Sequence, residues 1–365
     1  MTITIDDLRH YAVARNFPKP TSLNRALQHV GFVQADPIRA PACAQDLTLR
    51  HRVKNYRAGD LERRYPTLAI QEDVFVNYGY VSKPLHALMH PRLDPRTQVR
   101  KLWGAGNVKK AKLLLDFIGE RGPVHPREVN EHFAHGRVTN YWGGSSNATT
   151  QLLETMHYSG LIRVVKREKG IRVYALQAQP PAPRTTVERR ARIDAMVDAV
   201  VRIYSPLPSQ SLSYYVGRLR YAVPQWKSEL RDALRRAKQR LSHARVGSVD
   251  WYWPADEDPL DHPVHDTVRF LAPFDPLVHD RTRIELLWNW VYRFEAYTPV
   301  SKRKFGYYAM PLLWRDQLIG WTNLSLINGA LKHEVGYSDP RARLDRAFTR
   351  ELESELERMR GFLST

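Results

Sequence analysis

Apolar residues recur every three or four positions from Lys109 to Glu120, through Leu113, Leu114, Phe117 and Ile118, and this spacing predicts a helix that Gly122-Pro123 ends. Pro126 opens a second, shorter helix containing Val129 and Phe133. The loop Gly143-Gly144-Ser145-Ser146-Asn147 leads to a third helix, with Leu152, Leu153 and Met156, that stops near Gly160. The period then changes from helical to alternating. Leu161 to Tyr174 reads as two β runs around Lys169-Gly170, a hairpin signal. Three helices followed by a two-stranded ribbon predict a winged helix.

Similar patterns flank this unit. Ile5 to Ala14 reads as a helix, and Ser22 caps another that runs through Leu23, Ala26, Leu27, Val30 and Phe32. The Pro-rich stretch Gln179-Pro180-Pro181-Ala182-Pro183 marks a boundary. After it, Val187 to Ile203, Ser209 to Val216 and Gln225 to Gln239 read as helices, and strand-like residues continue to Trp253. From about Asp261 the chain is β-rich and aromatic, and the tail from Pro340 reads as a Glu/Arg helix. The predicted class is α+β, with tandem winged-helix units followed by a C-terminal β-barrel-like domain. The expected boundaries are 1–100, 101–179, 184–255 and 256–365.

Charge narrows the partners. With 56 Lys and Arg against 38 Asp and Glu, the formal charge is +18, which favours a polyanion and above all nucleic acid. An anionic membrane ranks second, and no apolar run of about eighteen residues supports it. The start, Met1 to Asp7, lacks the basic flank and apolar centre of a secretory signal, so a cytoplasmic protein is expected; a monomer is expected as well. Cys43 is the single cysteine and the histidines are scattered, so neither a metal nor a cofactor is expected.

The sharpest chemical signal is Gln34-Ala35-Asp36-Pro37. Pro37 biases Asp36 towards extended backbone, where residues i and i+2 project the same way. Gln34 and Asp36 can then share one water, the amide orienting it and the carboxylate taking its proton. The competing reading is a helix that ends before a polar turn. Cations interleaved with aromatic rings supply candidate DNA contacts at Arg50, Arg52 and Lys54, and the basic ribbon supplies Lys166, Arg167 and Lys169. Arg281, Lys302, Arg303 and Lys304, near Tyr307 and Tyr308, are further candidates. Asp275, His279 and Asp280 can be read as a metal or acid/base cluster, but the Asp275-Pro276 step favours a turn.

Two blocks carry a family resemblance. Gln34-Ala35-Asp36 is the first. The second runs from Phe274-Asp275-Pro276-Leu277-Val278 through Asp280-Arg281, Arg283, Glu285-Leu286-Leu287, Tyr292-Arg293, Glu295 and Tyr297-Thr298-Pro299 to Lys302-Arg303 and Gly306-Tyr307. With the hairpin unit between them, the chain resembles the crosslink-repair DNA glycosylases of the YcaQ and AlkZ type over nearly its whole length. The resemblance implies tandem winged helices and a β-barrel around a basic channel for duplex DNA. It also implies a Gln-x-Asp catalytic element at Gln34 and Asp36. The implied activity is monofunctional hydrolysis of N7- or N3-alkylated purines, including interstrand crosslinks, to leave an abasic site in damaged double-stranded DNA.

The chain departs from the family pattern twice. Val74 to Ser82 lacks the histidine of a Trp-x-His motif, and Gly320-Trp321-Thr322-Asn323-Leu324-Ser325 stands where relatives carry Gly-Arg-x-Asp-x-Lys. The alternatives to a repair enzyme are a non-catalytic winged-helix regulator and an RNA- or protein-binding scaffold.

Overall fold

Local capping rules set where the first elements begin and end. Thr4 and Asp7 form a reciprocal capping box that starts the helix Ile5–Asn16. Ser22 caps the helix Leu23–Val30, and Gly31, at φ 73°, turns the chain out of it in a conformation that a side chain would strain. The strand Phe32–Gln34 follows, with Phe32 and Val33 buried and Gln34 at the half-buried end. The helix expected to run through Phe32 therefore stops at Val30, where Gly31 turns the chain, and the Gln-x-Asp segment leaves a short strand and not a helix. A computed structural model describes residues 2–92, 109–133, 137–139, 145–338 and 345–364. Gly143, Gly144 and Pro340 lie outside them.

The chain divides into two compact units. The first comprises Met1–Leu61, Val197–Gly217 and Arg231–Thr365. Its core joins Leu8 and Tyr11 to Trp251, Trp253, Leu277, Ile284, Leu287, Trp290 and Leu313. Each such buried side chain contributes about 1.5–3 kcal/mol of transfer free energy. The strands Val268–Phe270, Met310–Trp314, Gln317–Ile327 and Ala330–Tyr337 pair in that order as an antiparallel sheet, the curled half-barrel that answers to the expected barrel-like domain. A Cβ on Gly320 would sit 2.0 Å from the Gly336 carbonyl oxygen, so only glycine fits. On the same strand Trp321 packs on Phe305, and Asn323 donates to the Phe305 carbonyl at 2.7 Å.

The helix Arg346–Leu363, capped by Asp345, ties the end of this unit to its beginning. Its Glu355 is fully buried and holds Arg50. The Phe362 carbonyl accepts from Ala58 N–H at 2.9 Å, and the Phe362 ring stacks on Tyr56. The hairpin Ser242–Val246 and Val249–Trp253 also belongs here, with Leu207–Pro208 paired to its second strand.

The second unit comprises Glu62–Met196 and Arg218–Leu230. Residues 109–121 and the helices Pro126–Phe133 and Ala148–Tyr158 bury Leu114, Ile118, Val129, Leu153 and Met156 with Val164 and Val173 of the ribbon. That ribbon is the hairpin Ile162–Glu168 and Ile171–Leu176. Lys169 and Gly170 have φ of 52° and 82°, the left-handed pair that matches the twist of a two-residue hairpin. One expected element is split: Gln225 to Gln239 is a 3-10 turn, Pro224–Glu229, followed by the helix Leu230–Arg240. Pro224 starts the turn, and Trp226 takes a φ of −120° that interrupts helical geometry.

The strand Ile70–Val74 carries two buried acids that the alternating pattern does not announce. Glu72 receives Arg167 at 2.8 and 2.6 Å and the Tyr78 hydroxyl at 2.5 Å. Asp73 receives Arg92 at 2.9 Å and His90 at 2.8 Å, with His86 Nε2 at 3.2 Å. A buried carboxylate without such partners would cost several kcal/mol. Among the described residues no helix is long and apolar enough to cross a membrane.

Candidate active site

Asp36 sits two residues beyond the strand that ends at Gln34, in a turn that its own side chain closes. Its Oδ1 accepts from Ile38 N–H at 2.9 Å, and its backbone N–H donates to Gln45 Oε1 at 3.3 Å. Gln45 belongs to the helix Ala44–Leu49, so two local elements fix the Asp36 backbone. No described residue donates to Oδ2. That oxygen is the one available to a water.

The electrostatics follow from partial burial. Desolvation raises the Asp36 pKa above the ordinary carboxylate value, and the Ile38 hydrogen bond opposes it only in part. Two tyrosines feel its charge. Burial and then Asp36 raise the pKa of Tyr308, and burial and then Asp36 raise that of the largely exposed Tyr297. The Tyr308 hydroxyl is buried without a hydrogen-bond partner, and burial together with Asp36 and Cys43 keeps it protonated as a donor. A carboxylate poised nearer neutral pH, with a free oxygen and a phenolic donor close by, can take a proton from water and stabilise positive charge developing opposite it.

Gln34 ends the strand and Asp36 lies in the turn after it, both half-buried. Gln45, Tyr297 and Tyr308 were not among the sequence candidates for catalysis. Tyr297 and Tyr308 stood inside an aromatic-rich block, a signal of packing more than of chemistry, and Gln45 carried no signal.

The ten basic candidates separate by burial. Arg50 and Arg52 are buried: Arg50 pairs with Glu355, while Arg52 makes a bidentate pair with Asp275 at 2.7 and 3.0 Å. Arg167 is held by Glu72 and the Gly170 carbonyl. These guanidinium groups compensate buried acids, a demand that a local basic run does not reveal. Lys54, Arg281, Lys302 and Lys304 are exposed in the first unit, and Lys166 and Lys169 in the second. Arg303 is half-buried, donates to the Thr298 carbonyl at 2.8 Å and lies over the Tyr307 ring. The N–H groups of Lys304 and Phe305 clasp the buried Glu295 at 2.8–3.0 Å, which orders that basic loop.

Asp275 and Asp280 serve a turn and a cap. Asp275 accepts from Leu277 N–H at 3.0 Å, and Asp280 caps the helix Arg281–Trp288 through Arg283 N–H at 3.2 Å. The group with metal-ligand spacing among the described residues lies elsewhere. Asp73, His86 and His90 offer ligand atoms within 4.8 Å of one another, with both Nε2 atoms on Asp73 Oδ2 and Arg92 on Oδ1.

Two comparisons bear on this geometry. The family model described as DNA glycosylase AlkZ-like matches residues 27–362. The solved structure of the Streptomyces sahachiroi DNA glycosylase AlkZ superposes with a TM-score of 0.65 at 12% identity, over 99% of this chain and 97% of that one, a likeness of fold.

Proposed function

The chain belongs to the AlkZ-like family and is a DNA glycosylase, and on that premise we propose that it hydrolyses the N-glycosidic bond of N7- or N3-alkylated purines in damaged duplex DNA. The observation that carries this reading is Asp36: a half-buried carboxylate with a raised pKa, no guanidinium partner and one free oxygen. An alkylated purine is already cationic, so its departure needs no general acid. The protein must place a water and stabilise an oxocarbenium ion. Asp36 Oδ2 takes the water's proton, and its negative charge faces the cationic sugar. Gln34 orients the water from the adjoining strand end. No covalent enzyme intermediate is required, and the product is an abasic site.

Interstrand crosslinks belong to the same proposal, since an adduct joined to both strands has to be served from an open channel. The architecture we propose is tandem winged helices. It is supported by the order of helical residues 109–121, two helices with a short strand pair between them, and a ribbon ending at Leu176, and of helix, short strand, helix, 3-10 turn, helix and hairpin at 186–253. The exposed lysines 54, 166, 169, 302 and 304, with Arg281, are the proposed phosphate contacts. The protein acts on duplex DNA as a monomer in this reading.

The test is to incubate the protein with a duplex containing N7-methylguanine and to score alkali-labile sites. Wild type should form them, Asp36→Asn should not, and borohydride should trap no protein–DNA adduct. A wild type as inert as Asp36→Asn, yet bound to the duplex, would instead favour a non-catalytic DNA-binding role.

A further inference from the structure

Alternation puts an arginine on the open face of a buried strand. In Val268–Phe270 both outer residues are buried in the core, so Arg269 between them projects the other way. There it borders a cleft of about 740 Å³, wholly inside the first unit and walled by residues 50–57, this strand and the helix Arg346–Leu363. That volume falls in the ~300–1,000 Å³ range typical of ligand sites.

Five lysine and arginine side chains line the cleft, Arg50, Lys54, Arg57, Arg269 and Arg358, against one carboxylate, Glu355. That carboxylate is fully engaged. It is buried, its Oε1 accepts from Arg50 and from Phe270 N–H at 3.0 Å, and its Oε2 accepts from Arg358 Nε at 2.9 Å. The cleft is therefore positive, and walls of one sign focus the field between them. Among the described residues Arg269 makes no side-chain hydrogen bond or ion pair, and its guanidinium lies 4.6 Å over the Phe17 ring. It is half-buried, yet none of its nitrogens is sealed from solvent. Burial pulls its pKa down to about 10, Glu355 draws it back in part, and Arg358 and Arg52 push it down again. It is still a cation at neutral pH, crowded by like charge that an anion in the cleft would relieve. Asn55, at φ 52°, turns the chain between exposed Lys54 and Arg57, which have no acid partner among the described residues either.

We propose that this cleft binds phosphoryl groups, Arg269 and Arg358 forking onto their oxygens while Lys54 and Arg57 neutralise the remaining charge. A DNA strand and a soluble phosphate compound present the same oxygens, and experiment tells the two sources apart. The assignment depends neither on Asp36 nor on which base the enzyme removes.

Two probes test it on the full chain: pyrophosphate, titrated by calorimetry, and an undamaged duplex. Arg269 pairs with no carboxylate, so Arg269→Gln should fold, which thermal melting checks. Should it not, Arg57→Gln repeats the test from an exposed position. Arg245→Gln is the control, since it removes the same charge from an exposed hairpin position outside the cleft. Relative to that control, Arg269→Gln should weaken pyrophosphate binding about tenfold or more, as loss of one charge-assisted hydrogen bond does. If DNA is the occupant, it also weakens duplex binding and flattens the slope of log K against log salt by about one. Loss of pyrophosphate binding with the duplex unaffected assigns the cleft to a soluble phosphate compound. A folded Arg269→Gln that matches Arg245→Gln with both probes overturns the proposal. Base release from alkylated DNA enters neither measurement, so this proposal and the alkylpurine reading fail independently.

Discussion

Two Asp-Pro steps use one local device and reach opposite ends. In Asp36-Pro37-Ile38 and Asp275-Pro276-Leu277, the aspartate Oδ1 accepts from the N–H two residues on, at 2.9 and 3.0 Å. Proline sets the backbone, and the carboxylate locks the turn. The surroundings then diverge. Asp275 is fully buried, and Arg52 covers both its oxygens. Asp36 is half-buried and pairs with no cation among the described residues, so its pKa rises while one oxygen stays open. A guanidinium converts the device into scaffold. Its absence leaves a carboxylate free to act as the proposed base.

The largest effect should come from removing that base. Asp36→Asn keeps the shape of the turn and should lower single-turnover base release about 10²- to 10⁴-fold, the range of a lost general base. Duplex affinity should stay within error of wild type, and melting temperature should not fall. Removing the guanidinium from the other turn should do the reverse. Arg52→Met leaves Asp275 charged and buried, and chemical denaturation should register a loss of about 3–5 kcal/mol. The double variant Arg52→Met, Asp275→Leu should recover part of it.

A smaller effect is expected at Tyr308. Phe in its place removes a buried hydroxyl that has no protein partner, so stability should hold or rise by about 1 kcal/mol. If the hydroxyl donates to the Asp36 water, kcat should still fall several-fold. A variant as fast as wild type would confine Tyr308 to packing.

The smallest effect concerns pH. With its pKa raised by folding, Asp36 binds a proton more readily in the native than in the unfolded chain. Its contribution to stability is therefore fully present below the unfolded value of about 3.9 and is lost as pH rises through the folded value. Asp36→Asn should gain stability relative to wild type between pH 3 and pH 8. The acid limb of kcat/KM should lie above that of an ordinary aspartate.

What the sequence made legible was local. The Ser22 cap, the Lys169-Gly170 hairpin and the Asp275-Pro276 turn depend on residues within a few positions of each other. What stayed hidden depends on distance along the chain. Arg50 and Arg52 read as a surface run because Glu355 and Asp275 lie more than 200 residues away. Arg167 looked free for DNA because Glu72, 95 residues earlier, sits in a strand whose alternation gives no sign that it is buried. Tyr297 and Tyr308 come to Asp36 from the opposite end of the chain. What the sequence missed around Asp36 was the part assembled by tertiary packing.

The clasp between Glu355, Phe362 and the segment from Arg50 to Ala58 has a consequence for synthesis. Arg50 and Tyr56 leave the ribosome early, but the groups that neutralise and cover them arrive some 300 residues later. At ~5–20 residues per second, the segment bearing Asp36 waits on the order of tens of seconds as an unfinished fragment before translation lets it close. A chain cut short of residue 355 would therefore lack the acid that neutralises Arg50 and the ring that covers Tyr56.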